Sequence, residues 1–151
     1  MEPGSTLSKI LRGSALAACL SAVGPAQAAG AFKGPVEAVV VQIIDGDTFL
    51  ADAHVWPGHF VRVNIRIRGI DAPEMKAGCA AEKAAAHRAR DALALIVGEG
   101  RVSISNIGGA KYYGRVLADV ATPDGRAVAS LLLGEDFVRA YAGGRRTGWC
   151  G

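Results

Sequence analysis

Histidine and cysteine are scarce in this chain, three of each in 151 residues, and they are not clustered. His54, His59 and His87 show no ligand spacing with the cysteines, which argues against a structural zinc site. After the N-terminal segment there is no uninterrupted apolar run of about 18 residues, the length a membrane span needs. No transmembrane helix is therefore expected in the processed chain. Neither sign of charge dominates, since 17 basic and 14 acidic residues give a net charge of +3. So weak a balance does not by itself identify a nucleic-acid partner, and the distribution of charge must decide. Long linkers and internal repeats are also missing. With 50% hydrophobic and 21% charged residues, the composition is that of one folded domain rather than of a disordered tail.

The first 30 residues differ from the rest. Lys9 and Arg12 precede an uncharged stretch from Gly13 to Gly24, and Ala26 to Ala28 form the small-residue pattern of a signal-peptidase site. The expectation is an export signal over residues 1–28, cleaved after Ala28, and a single domain over 29–151 in the periplasm or the medium. A second reading is a lipoprotein acylated on Cys19 of "LAAC". That site would leave only Gly13 to Ala18 as the apolar core, short of the usual range of about 7–15 residues. Cleavage after Ala28 removes Glu2, Lys9 and Arg12 and leaves a net charge of about +2. It also leaves Cys79 and Cys150 as the only cysteines. An even pair in an exported chain suggests one disulfide, which would close a long loop and contribute about 4 kcal/mol by the loop-entropy argument. Two separate buried thiols are the alternative, because spacing does not establish proximity.

The rest of the chain divides at its turn residues. Val36 to Ile44 is rich in β-branched residues, "DGDT" follows as a tight turn, and "FLADA" reads as a second strand. Ala53 to His59, with Pro57 and Gly58, reads as the next turn. From Phe60 to Arg68 the pattern alternates, with Val61, Val63, Ile65 and Ile67 on one face and Arg62, Asn64, Arg66 and Arg68 on the other. That predicts a half-buried strand with a cationic outer face. Cys79 to Val97 is helical, with Ala81, Ala85, Ala89, Ala92 and Ile96 recurring at steps of three or four, and Gly98 stops it. Arg101 to Ile107 and Arg115 to Ala121 are further strands, Pro123 to Gly125 a turn, and Ala127 to Leu133 a short helix. The order predicts a mainly β, α+β fold. Its architecture is an antiparallel five-stranded barrel of the oligonucleotide/oligosaccharide-binding (OB) type, with one helix between the third and fourth strands and a short one after the fifth.

The chemistry gathers at the turns. "RIRGIDAPE", Arg66 to Glu74, places Asp71 and Glu74 three residues apart, and Pro73 keeps this stretch out of a regular helix. Asp47 of "DGDT" adds a third carboxylate beside a strand end. Such oxygen donors suit a hard cation such as calcium. Arg115 opens a strand just after Gly114, and two arginines near a carboxylate-bound cation are what phosphoryl chemistry needs, because their planar forks grip phosphate oxygens. In "DGDT" the glycine would permit the tight backbone that aims Asp47 at a metal.

Taken in order, "IDGDTF" (Ile44 to Phe49), "IRIRGIDAPE" (Ile65 to Glu74) and "YYGRVLADV" (Tyr112 to Val120) resemble the staphylococcal-nuclease-like, or thermonuclease, family. The tail "RAYAGGRRTGWC" (Arg139 to Cys150) is similar to that of its short exported bacterial members. The resemblance implies calcium-binding carboxylates at Asp47 and Asp71 and a backbone-carbonyl ligand at Ala72. It implies Glu74 as general base, Arg66 and Arg115 on the scissile phosphate, Asp45 as support behind the ligands, and Tyr113 and Tyr141 against the nucleotide. The activity implied is calcium-dependent hydrolysis of DNA and RNA, single strands preferred, by a monomer that leaves 3′-phosphate ends. Lys111 and Tyr112 depart from the acidic-then-basic pair that many relatives carry, which reverses charge beside the active loop. From another class comes a second reading, a catalytically silent OB barrel that only binds nucleic acid; such domains usually lack one of the charged residues that are all present here.

Overall fold

The β-branched and alternating segments form β1 (Val36–Ile43), β2 (Thr48–Trp56) and β3 (His59–Ile67), each antiparallel to the next. After β3 come β4 (Ile70–Asp71), α1 (Ala80–Val97), β5 (Arg101–Gly109), β6 (Arg115–Ala121), α2 (Val128–Gly134) and β7 (Arg139–Ala140). The structure is a computed structural model that describes Met1, residues 30–98 and residues 100–150. The expected export signal, its cleavage after Ala28 and the alternative lipid attachment at Cys19 lie outside the described residues. Among the described residues no helix is long and apolar enough to cross a membrane.

Five strands close into a barrel in the order β1-β2-β3-β6-β5. The helix α1 falls between the third and fourth barrel strands and α2 follows the fifth, so the fold is the OB arrangement, mainly β with two helices. One pairing corrects the expectation of an all-antiparallel barrel: β3 and β6 run parallel, with Asn64 opposite Arg115 and Arg66 opposite Leu117. The chain passes through α1 and β5 before it returns beside β3, and a crossover of that length permits a parallel neighbour. The inward residues Phe49, Ala51, Ile65, Ile67, Val102, Ile104, Ala118 and Val120 fill the barrel, and Ala89 and Leu93 of α1 and Val128 and Leu132 of α2 extend the same core.

Two other expectations shift. β2 continues through Val55 to Trp56, so the turn is confined to Pro57 and Gly58 rather than spanning Ala53 to His59. The β2–β3 hairpin therefore projects beyond the core, leaving Trp56 72% and Val61 50% exposed, and only Ile65 and Ile67 of the predicted apolar face are buried. In α1 the buried side is Glu82, Ala86, Ala89, Ala92, Leu93 and Val97. The helix is so rich in alanine that small apolar residues lie on every side, and its periodicity points only loosely to the inner face.

Two very short strands, below the length at which alternation can be read, decide where the C-terminal segment lies. β4 pairs with β7, Ile70 opposite Ala140 and Asp71 opposite Arg139. The segment is fastened again by the Cys79–Cys150 disulfide, which spans 71 residues with Cα atoms 6.1 Å apart. Cys79 is the N-cap of α1, so the bond joins the start of that helix to the end of the chain.

Candidate active site

The turn between β1 and β2 is closed by the N–H groups of Ile44 and Asp45, which donate to the Thr48 carbonyl at 3.0 and 3.1 Å. Within it the Asp47 N–H donates to Asp45 Oδ1 at 3.0 Å. Gly46 is required here for space rather than for backbone freedom, since its φ is not among the left-handed ones. A Cβ at this position would lie 2.5 Å from the Ala89 Cβ and 2.9 Å from the Ala72 Cβ. Its absence lets α1 and the loop after β4 close on the turn.

Strand register brings the arginines to the same place. Thr48 pairs with Arg66 across β2 and β3, and Arg115 pairs with Asn64 across β3 and β6. Residues 64 and 66 share one face of the strand, so Arg66 and Arg115 emerge on one side, next to Asp47 at the start of β2. Arg66 is not on a solvated face as the alternation predicted. Its side chain is only 16% exposed and bridges Asp47 Oδ2 at 2.8 Å and Asp71 Oδ1 at 3.5 Å. Arg62 pairs with Asp52 at 2.8 Å and Arg68 with Asp119 at 3.2 Å. The cationic face expected on β3 is thus largely neutralised within the fold.

Asp47 and Asp71 are both buried. Thr48 Oγ1 donates to Asp47 Oδ1 at 2.9 Å, and the Ala72 N–H to Asp47 Oδ2 at 2.8 Å. Burial pushes the Asp47 carboxyl from 3.8 up to about 7; Arg66 and the Ala72 N–H pull it down and the neighbouring Asp45 raises it further. The folded chain therefore holds this proton more tightly than the unfolded one. The stability it contributes is complete below 3.8 and is lost as pH rises through about 7. In chelator, wild type should lose on the order of a few kcal/mol relative to Asp47→Asn between those limits. Denaturant unfolding of both proteins at pH 4 and pH 8 checks this, and a difference that does not change with pH would contradict it.

Glu74 follows Pro73 at the edge of the site with its side chain 54% exposed. Its N–H donates to Glu82 Oε1 at 3.1 Å, which explains why a carboxylate of α1 points inward. Cys150 Sγ lies 3.2 Å from Glu82 Oε2; a disulfide sulfur carries no hydrogen, so this is a packing contact. Cys79, Glu82 and Cys150 are also the one close group of three metal-ligand side chains among the described residues. With both sulfurs in the disulfide, they offer no thiolate to a metal.

A residue that the motif reading left unassigned, Arg146, stands among the carboxylates. Its Nε is 2.6 Å from Asp71 Oδ1, its Nη1 contacts Glu74 Oε1, and its Nη2 donates to the Ala72 carbonyl at 2.9 Å. The approach to Asp71 gives charge compensation without hydrogen-bond alignment, and Asp71 Oδ1 is buried with no hydrogen-bond partner among the described residues. Partial burial lowers the Arg146 pKa, but its hydrogen bond to Glu74 and the negative charge of Asp71 and Glu74 outweigh it and hold the guanidinium above its ordinary value. The sequence signal was the disulfide: Cys79 follows shortly after Glu74 and Cys150 shortly after Arg146, so joining the sulfurs brings the two side chains near each other.

These residues surround a polar cleft of ≈ 250 Å³ lined by Asp45, Asp47, Arg66, Ala72, Glu74 and Arg115, together with Tyr112 and Arg146. Asp71 does not line the cleft but contacts Arg66 and Arg146, which do. The Arg115 guanidinium lies over the Tyr112 ring, 5.6 Å from its centroid, and Lys111 Nζ is at the same distance. Tyr113 is fully exposed and does not line the cleft. Tyr141 donates to the Gly144 carbonyl at 2.7 Å and lines a neighbouring cavity of ≈ 640 Å³ that also includes Arg66. The tyrosine at the cleft is therefore Tyr112, next to the position expected. The donor set of two carboxylates and a main-chain carbonyl, with one buried lone pair lacking a hydrogen bond, fits a hard cation that completes its shell with water.

A protein-family model described as staphylococcal nuclease homologue matches residues 64–146, more than half of the chain. The match takes in Arg66, Asp71, Ala72, Glu74, Arg115, Tyr141 and Arg146. It begins inside β3 and does not cover Asp45 and Asp47, which the fold brings to the same cleft. No curated protein matches the chain.

Proposed function

This chain belongs to the staphylococcal nuclease homologue family, and we propose that it is an exported, calcium-dependent nuclease that hydrolyses phosphodiester bonds of DNA and RNA. Family membership gives the coarser statement, a nuclease or nucleic-acid-binding role. What supports the finer one is the convergence of Asp47, Arg66, Glu74 and Arg115, from three separate stretches of chain, on one polar cleft.

Asp47, Asp71 and the Ala72 carbonyl would hold the calcium, which when bound supplies Lewis-acid polarisation of the scissile phosphate. Glu74, partly exposed, is open to water and takes a proton from it as the water oxygen attacks phosphorus. Arg66 and Arg115 donate to the non-bridging oxygens, where negative charge grows in the transition state. The bond from phosphorus to the 5′ oxygen breaks, leaving a 3′-phosphate on one fragment and a 5′-hydroxyl on the other. Tyr112 and Tyr141 offer ring faces to bases, which favours unpaired strands. The disulfide and the pattern of Lys9, Arg12 and Ala26 to Ala28 suit export to the periplasm or the medium, and the protein would act as a monomer.

The test is turnover of a short single-stranded oligonucleotide. Hydrolysis is expected in calcium and should stop when a chelator is added; binding without hydrolysis would instead support a silent barrel.

A further inference from the structure

The three oxygens that Arg146 touches are those to which the proposed chemistry gives other tasks: Asp71 Oδ1 and the Ala72 carbonyl as cation ligands, and Glu74 as base. A guanidinium on these atoms and a divalent cation on the same atoms exclude one another by space and by charge. Arg146 is also held in place. Its segment is paired to β4 through β7 at one end and bonded to Cys79 at the other. Arg139 of β7 also donates to the Gly148 carbonyl at 3.0 Å and stacks 3.8 Å from the Trp149 ring centroid, tying the two ends of the segment together. Gly143 and Gly144 turn the chain at φ 101° and 92°, conformations that favour glycine. The segment is pinned on both sides, and Arg146 reaches inward from it.

We propose that Arg146 is a tethered internal cation that occupies the metal-binding oxygens of the metal-free chain and competes with the divalent ion for them. Resting on the calcium reading above, this makes calcium affinity a difference between two occupants of one oxygen set. In the absence of the ion, Arg146 holds Asp71, Ala72 and Glu74 together and limits their mutual repulsion. When the ion binds, the side chain must withdraw, and the two anchors keep it at the mouth of the cleft.

The experiment is calorimetric titration of the full folded chain with calcium alone, without nucleic acid, alongside melting in chelator. Arg146→Gln should bind calcium about tenfold or more tightly than wild type, the scale of a lost charge-assisted contact, and should melt at a lower temperature in chelator. Arg145→Gln removes an equal charge from an exposed neighbour that does not line the cleft, and should change calcium affinity far less. Arg146→Lys, which keeps the charge but loses the fork, should fall between wild type and Arg146→Gln, and it serves if the Gln variant does not fold. Reducing the disulfide in wild type should also tighten calcium binding by loosening one anchor. Equal calcium affinity in wild type and Arg146→Gln, or equal tightening by Arg145→Gln, would overturn the competition while leaving the calcium reading intact. No calcium binding by either wild type or Arg146→Gln would overturn both.

Discussion

Replacing Glu74 by Gln is expected to lower hydrolysis of a short single-stranded oligonucleotide by about 10²–10⁴, the usual contribution of a general base. The substitution keeps the size and removes the basic oxygen. The backbone should stay in place, because Pro73 precedes the residue and the Glu74 N–H is held by Glu82 Oε1 at 3.1 Å. Glu82 belongs to the first turn of α1, whose N-cap carries the disulfide. The chain should still fold, and turnover in saturating calcium should collapse; calcium affinity is measured beside it, because Gln gives up the charge that pairs with Arg146. Affinity for the oligonucleotide without metal should hold or rise, since a negative charge leaves the cleft. Turnover close to wild type would remove Glu74 from the chemistry.

Arg115→Lys should cost roughly 10²–10³ in rate, taking a single transition-state donor as the guide. The charge survives and the planar two-pronged fork does not, so a residue that merely supplies positive potential would tolerate the change. Arg115 tests this more cleanly than Arg66. The Arg66 guanidinium is already committed to Asp47 and Asp71, so altering it disturbs the buried carboxylates as well as any bound phosphate. Arg115 lines the same cleft against the Tyr112 ring and makes no ion pair among the described residues. The measurement is kcat under saturating calcium together with oligonucleotide affinity without metal. A fall in affinity with kcat unchanged would make Arg115 a binding residue only.

Much of this site can be read along the chain because it stands on strand ends. A turn that must close between β1 and β2 leaves few positions for Asp47, and alternation alone places Asn64 and Arg66 on one face. Alternation gives a side of the strand but not what covers it. It therefore puts Arg66 in solvent, whereas the side chain is clamped between carboxylates contributed by the β1–β2 turn and β4. The parallel pairing of β3 with β6 is not legible either, since direction depends on the path through α1 and β5 rather than on local pattern. β4 and β7 are each two residues long, too short to carry a period, and their pairing delivers the C-terminal segment to the cleft. Arg146 escapes motif reading for that reason: its neighbours in space are fixed by a two-residue ladder and a disulfide across 71 residues. Gly46 is expected where it stands, but for backbone freedom. What demands it is the approach of two alanine Cβ atoms that only the fold brings near.

The central claim is that this cleft hydrolyses phosphodiesters by water attack with departure of the 5′ oxygen. Its most direct test is mass spectrometry of the fragments that the processed protein makes from a single-stranded oligonucleotide in calcium. The account predicts fragments ending in 3′-phosphate paired with fragments beginning in 5′-hydroxyl, none of which form in chelator. Fragments that carry 5′-phosphate, or an oligonucleotide left intact by a protein that binds it, would contradict the account.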